Sequence, residues 1–146
     1  MKRFACLAAI ALAVLPARAV LQDRAEPERV TVQHILIAFK GSIPDPKVTR
    51  SRAEAEALAL KIFERAKAGE DFDALVKTFT NDEYPGIYSM SNRDVTPDPA
   101  KPEYPRARMV KAFGDVSFGL DMGGIGLAVY DPATSKYGWH IIKRLE

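Results

Sequence analysis

Tyr137-Gly138-Trp139-His140-Ile141-Ile142-Lys143-Arg144-Leu145, near the end of the chain, and Val32-Gln33-His34-Ile35-Leu36-Ile37, near its beginning, are two apolar, β-branched runs with a histidine inside each. They hold the only two histidines among 146 residues. Side chains alternate along a strand, so Val32, His34, Leu36 and Ala38 share one face of the first run, and His140, Ile142 and Arg144 share one face of the second. If the two strands are neighbours, the imidazoles become cross-strand partners with about 5 Å between Cβ atoms. Histidine titrates near neutral pH and is uncommon in β-branched stretches, so the pairing points to a shared polar centre on one sheet. Two independent core or edge histidines are the plainer alternative.

The segments between these runs supply helices. Val30 to Phe39 has the composition of a central strand, and Lys40 to Arg50, with Gly41, Pro44 and Pro46, reads as a loop. Ser51-Arg52-Ala53-Glu54 is a capping box and opens a helix. Its apolar face is Ala55, Leu58, Ala59, Ile62 and Ala66, and Gly69 ends it. A second helix starts near Asp71, repeats the spacing in Phe72, Leu75, Val76 and Phe79, and stops at Thr80-Asn81-Asp82. Gly86 to Met90 is a short strand. Ser91 to Pro105, with Pro97, Pro99, Pro102 and Pro105, is expected to be irregular, either a lid or plain surface. A third helix is expected from Pro105, with Met109, Ala112 and Phe113 on one side and Gly114 as its stop. Gly126 to Asp131 and Trp139 to Leu145 form a closing hairpin through Pro132 to Tyr137. The order β, α, α, β, α, β, β predicts an α+β domain, a small and mostly antiparallel sheet with about three helices packed on it.

Residues 1–19 stand apart from this domain. The basic start Met1-Lys2-Arg3, the apolar stretch Phe4 to Leu15 and the small-x-small site Ala17-Arg18-Ala19 read as a secretory signal peptide. The apolar stretch is shorter than the roughly 20 residues of a spanning helix, so a permanent membrane anchor is not expected. The chain is expected to be exported, with residues 20–29 as a flexible lead-in and 30–146 as the domain. Cys6 is the only cysteine. It lies too early for a lipoprotein site, and its removal with the signal leaves neither a disulfide nor a catalytic thiol. Removing Lys2, Arg3 and Arg18, and no acid, from the 21 basic and 19 acidic residues leaves the remainder near neutral. No basic stripe is left to hold a phosphate backbone, which argues against nucleic acid as a partner.

His34 in Gln-His-Ile-Leu, Asp82 after the second helix, Met109 and Phe113 in Arg-Met-Val-Lys-Ala-Phe, Phe118 in Val-Ser-Phe-Gly-Leu and His140 in Gly-Trp-His-Ile-Ile together resemble the parvulin family of peptidyl-prolyl cis/trans isomerases. The likeness runs from about Val30 to Glu146. It implies a four-stranded sheet with the first and last strands adjacent. It further implies that His34 and His140 form the central pair, that Asp82 fills the place of a cysteine or aspartate, and that Met109, Phe113 and Phe118 line a proline pocket. It also implies proline-containing polypeptide clients. No cofactor or metal is expected, since no other ligand-rich motif accompanies His34, Asp82 and His140, and a monomer is expected. The sequence departs from the family at Gly123-Gly124, where Gly-Glu is frequent, and at Pro85-Gly86, where a glycine-rich stretch is reduced. Lys40, Lys47, Arg50 and Arg52 are basic but form no tight cluster of the kind that selects phosphorylated Ser/Thr-Pro.

An X-Pro amide resists rotation by about 18–20 kcal/mol, and a catalyst needs only to hold the ring and favour the twisted bond. An apolar cup of Met109, Phe113 and Phe118 suits the ring, and His34, Asp82 and His140 suit a polar floor. The same cup read as ordinary core, the same three polar groups read as a facial metal triad, and a non-catalytic holdase for unfolded chains are the alternatives.

Overall fold

Nine consecutive residues that alternate between two buried faces, Arg29–Ile37, make the central strand β1 of a computed structural model describing residues 25–146. The signal peptide expected over residues 1–19 lies outside the described residues. Helix α1, Arg52–Lys67, begins at the expected capping box: Ser51 Oγ accepts from the Glu54 N–H at 3.2 Å, and the Glu54 carboxylate accepts from the Ser51 N–H at 2.7 Å. It ends in a Schellman motif, with the Gly69 N–H donating to Ala66 O and the Glu70 N–H to Arg65 O. Helix α2, Phe72–Phe79, is capped by Asp71. Strand β2, Ile87–Ser91, then lies antiparallel against β1.

The proline-rich stretch after β2 contains a strand, contrary to its expected irregularity. Residues Glu103–Pro105 form β3, parallel to β2, with Ser89 opposite Glu103 and Met90 opposite Tyr104. Proline is tolerated there because β3 is an edge strand and ends at Pro105. Its anchor is Glu103, whose carboxylate accepts from Arg29 Nε and from the Asp98 N–H. A single 3-10 turn, Arg106–Arg108, leads into helix α3, Lys111–Gly119. Gly114 does not stop this helix but lies inside it, and its N–H donates to Val110 O. The missing side chain has a use, since a Cβ there would come within 3.1 Å of Arg106 Cγ. Arg106 is buried, stacks on Phe118 at 4.7 Å and pairs with Glu26 and Asp115, which ties the segment before β1 to α3.

Strands β4, Ile125–Ala128, and β5, Trp139–Arg144, close the sheet. Its order is β3-β2-β1-β5-β4, so there are five strands where four were expected, and the first and last strands are neighbours. The sheet is antiparallel except at β3, and the α+β class holds. Entry into β5 requires a glycine: Gly138 has φ +139, and a Cβ there would lie 2.1 Å from Ile37 O. Helices α1 and α2 cover one face, packing Ala59, Ile62 and Leu75 against Ile35, Ile37 and Ile141. Helix α3 covers part of the other, packing Phe113 and Phe118 against Val30, Val32, Met90 and Ile142. Among the described residues no helix is long and apolar enough to cross a membrane.

Candidate active site

On the α3 face the alternation of β1 and β5 places His34 and His140 side by side in the middle of the sheet. The register sets His34 opposite Ile142 and Leu36 opposite His140, so the two histidines are diagonal neighbours and not a directly opposed pair. Their rings are 14° from parallel, and the two Nδ1 atoms are 3.3 Å apart. Both side chains are buried. Gly86 permits the close approach of the neighbouring chain: its carbonyl accepts from the His34 N–H at 2.9 Å, and a Cβ on it would collide with His34 O at 2.7 Å.

Asp82 reaches the pair because the segment after α2 is strapped to β1. Thr80 Oγ1 accepts from the Leu36 and Asp82 N–H groups, and the Asn81 N–H donates to Leu36 O at 2.8 Å. The Asp82 carboxylate then sits 3.0 Å from His34 Nε2 and 3.1 Å from the Tyr88 hydroxyl. The hydrogen bond from His34 outweighs partial burial and, with the Glu83 N–H, the His34 charge and Tyr88, holds this carboxyl down at about 2. Burial, followed by the Asp82 charge, pushes the Tyr88 phenol up to about 12, so its hydroxyl stays a donor. Burial also drives His140 down to about 3, helped by the neighbouring His34 charge and opposed by Asp82.

These relations assign the protons. An ionised carboxylate only accepts, so His34 Nε2 carries a hydrogen and, in the neutral ring, Nδ1 is left as an acceptor. The 3.3 Å contact then requires a hydrogen on His140 Nδ1. His140 Nε2 is left with a lone pair, and that atom is buried without a hydrogen-bond partner among the described residues. With His34 neutral, the row Tyr88, Asp82, His34, His140 therefore spends its protons internally. Both nitrogens of His34 are engaged, which is a poor arrangement for three ligands converging on a metal. Among the described residues no group of three or more His, Cys, Asp and Glu is placed to hold one.

Beside this row opens a cavity of about 470 Å³. It is lined by Met109, Val110 and Phe113 from around the start of α3, by Leu36 and the histidines from the sheet, by Tyr88 and Asp82, and by the loop residues Ile43, Pro44 and Tyr137. Phe113 stands edge-on to His34 and His140, with ring centroids 5.1 and 5.5 Å away. The structure thus brings together His34, Asp82, His140, Met109 and Phe113. It does not bring Phe118 to the cavity wall: that ring is buried beneath the Arg106 guanidinium. Tyr88, Val110, Asn81 and those loop residues were not singled out from sequence. For Tyr88 a signal existed, an aromatic two residues after Gly86 in a recognised strand. None of Lys40, Lys47, Arg50 and Arg52 lines the cavity, and Arg50 is committed to Ala38 O and Asn81 Oδ1. No residue of the 91–105 stretch lines it either.

A family model described as the PPIC-type PPIASE domain matches residues 18–146. The chain is 30% identical to the Chaperone SurA of Pseudomonas aeruginosa over 118 residues, 81% of this chain and 24% of that protein. To the Foldase protein PrsA 4 of Bacillus cereus it is 31% identical over 121 residues, 83% of this chain and 38% of that one. It therefore spans between about a quarter and two fifths of the length of these relatives. The solution structure of TbPIN1 superposes with a TM-score of 0.60 at 23% identity, covering 82% of this chain and 98% of that one. The peptidyl-prolyl isomerase ESS1 from Candida albicans superposes with a TM-score of 0.58 at 19% identity, covering 82% and 63%. Both likenesses bear on the fold alone.

Proposed function

The chain belongs to the family of PPIC-type peptidyl-prolyl isomerase domains, and from that membership we propose that it accelerates cis/trans rotation of X-Pro bonds in polypeptide clients. One observation carries the reading: the apolar residues Met109, Val110 and Phe113 and the row Asp82, His34, His140 border the same cavity. No bond has to break. The planar amide keeps partial negative charge on its oxygen through conjugation, and twisting removes that charge. A cavity that grips the ring and sets the Asp82 carboxylate, a third exposed, near the oxygen disfavours the planar form more than the twisted one. The histidine row holds that carboxylate ionised and in place. In this mechanism Asp82 supplies the field, His34 and His140 fix it, and Met109 and Phe113 hold the ring.

The client is taken to be an exported or unfolded protein, on the strength of the signal-like residues 1–19. A holdase reading is favoured by the likeness to the Chaperone SurA of Pseudomonas aeruginosa. A protease-free isomerisation assay over capped X-Pro peptides, run beside suppression of aggregation of an unfolded client, separates the two. The isomerase reading expects turnover at catalytic amounts of protein. Suppression of aggregation with no turnover would replace it by the holdase.

A further inference from the structure

If the row from Tyr88 to His140 spends its protons internally, something else must bind the backbone of a client, because peptide carbonyls lose their water partners on entering the cavity and need donors. Asn81 is placed to supply one. It lines the cavity directly before Asp82, and its backbone N–H is taken by Leu36 O. Its side-chain oxygen is held from two sides, by the Ala38 N–H at 3.0 Å and by Arg50 Nη1 at 2.7 Å. Two donors on one atom settle the orientation of the amide, since only the oxygen can accept both. The other end, Nδ2, is therefore the free end, with no partner among the described residues, on a residue that lines the cavity.

We propose that Asn81 is a substrate-positioning residue whose Nδ2 donates to a client backbone carbonyl flanking the X-Pro bond, with Arg50 acting through it as the clamp that fixes the amide. This rests on the isomerase reading of the same cavity. The flanking carbonyl is specified by the chemistry of rotation: a donor on the reacting carbonyl would stabilise the conjugated, planar amide and slow the twist. A donor on a neighbouring carbonyl binds planar and twisted forms equally, so it lowers KM and leaves kcat alone.

Asn81→Asp separates this role from a structural one. A carboxylate keeps both bonds to Arg50 and Ala38 and loses the donor, and its added charge is paired by the Arg50 guanidinium that already holds this oxygen. With capped, uncharged acetyl-Ala-Ala-Pro-Phe-amide, Asn81→Asp should raise KM about three- to tenfold, the range of one neutral hydrogen bond. Its kcat should stay at the parent value and its melting temperature should not fall. Asn81→Ala should show the same rise in KM together with a lower melting temperature. In the 15N-labelled parent, the Asn81 side-chain NH2 resonances, identified by their loss in Asn81→Asp, should move downfield on titration with the peptide. An Asn81→Asp protein with parental KM, or Asn81 resonances that do not move, overturns the proposal. A parent protein without turnover overturns the isomerase reading instead, and the titration then still decides whether Asn81 contacts a peptide.

Discussion

The two faces of strands β1 and β5 are built from alternating residues of the same segments, yet they do different work. Ile35, Ile37, Trp139 and Ile141 point to α1 and α2 and are sealed under hydrocarbon. His34, Leu36 and His140 point to the α3 side, where α3 leaves room for a cavity of about 470 Å³. The sealed face gains stability by excluding water from apolar area. The open face gives some of that up: it buries two imidazoles and leaves one nitrogen, His140 Nε2, without a partner among the described residues. On the isomerase reading such a face is retained for the client it binds, and the period of two along a strand lets one sheet carry both faces.

The division is broken or sharpened most strongly by truncating one large side chain on each face. Ile62→Ala on the sealed side should cost about 2–5 kcal/mol in denaturant titrations and leave kcat/KM per folded molecule unchanged. Phe113→Ala on the open side should cost about 3–5 kcal/mol, because that ring is also core, and in addition lower kcat/KM on the order of a hundredfold through a misplaced proline. Loss of stability in Phe113→Ala with unchanged turnover of the folded fraction would return Phe113 to plain core.

Acid should act on the open face. His140 titrates near 6.5 when unfolded and at about 3 when folded, so below 6.5 the unfolded chain takes up the proton first. Its contribution is intact above 6.5 and is lost as the pH falls towards 3. Asp82, ordinarily 3.8 and here about 2, loses its contribution only in the more acidic window between those values. Melting temperatures from pH 7 to 4 should fall in the parent and fall less steeply in His140→Leu; parallel curves would contradict the buried, neutral assignment of His140.

A smaller effect is expected at Asp82. Asp82→Ala should lower turnover several-fold with the fold intact, and Asp82→Cys should keep more activity than alanine, because a thiol can ionise and hydrogen-bond to His34. Parental turnover in Asp82→Ala would contradict the role of the Asp82 carboxylate as the source of the field.

How much of this was legible in the sequence follows from how local each signal is. Helix α1 was readable because its capping box lies within four residues, and the shared face of His34 and His140 because strand alternation is local and the two runs are strongly apolar. Asp82, Met109 and Phe113 rested on family resemblance. The resemblance puts Phe118 in the pocket, but it is not among the residues lining the cavity: five residues after Phe113 it lies about 140° round α3 from that ring. Gly114 looked like a helix stop because what occupies the space of its absent side chain is Arg106, a tertiary neighbour. Strand β3 is three residues long and is recognisable only through its pairing with β2 and the Arg29–Glu103 contact. Asn81 had no local signal, since its orientation depends on Arg50 across the 40–50 loop.

The most direct test of the open face as a catalytic surface is two-dimensional exchange NMR of acetyl-Ala-Ala-Pro-Phe-amide with a small fraction of an equivalent of protein. Uncatalysed interconversion takes tens to hundreds of seconds and gives no cross-peaks between cis and trans signals at sub-second mixing times. The parent should produce those cross-peaks, Ile62→Ala should keep them, and Phe113→Ala should lose them. Absence of exchange with the folded parent, or its survival in Phe113→Ala, would contradict the account.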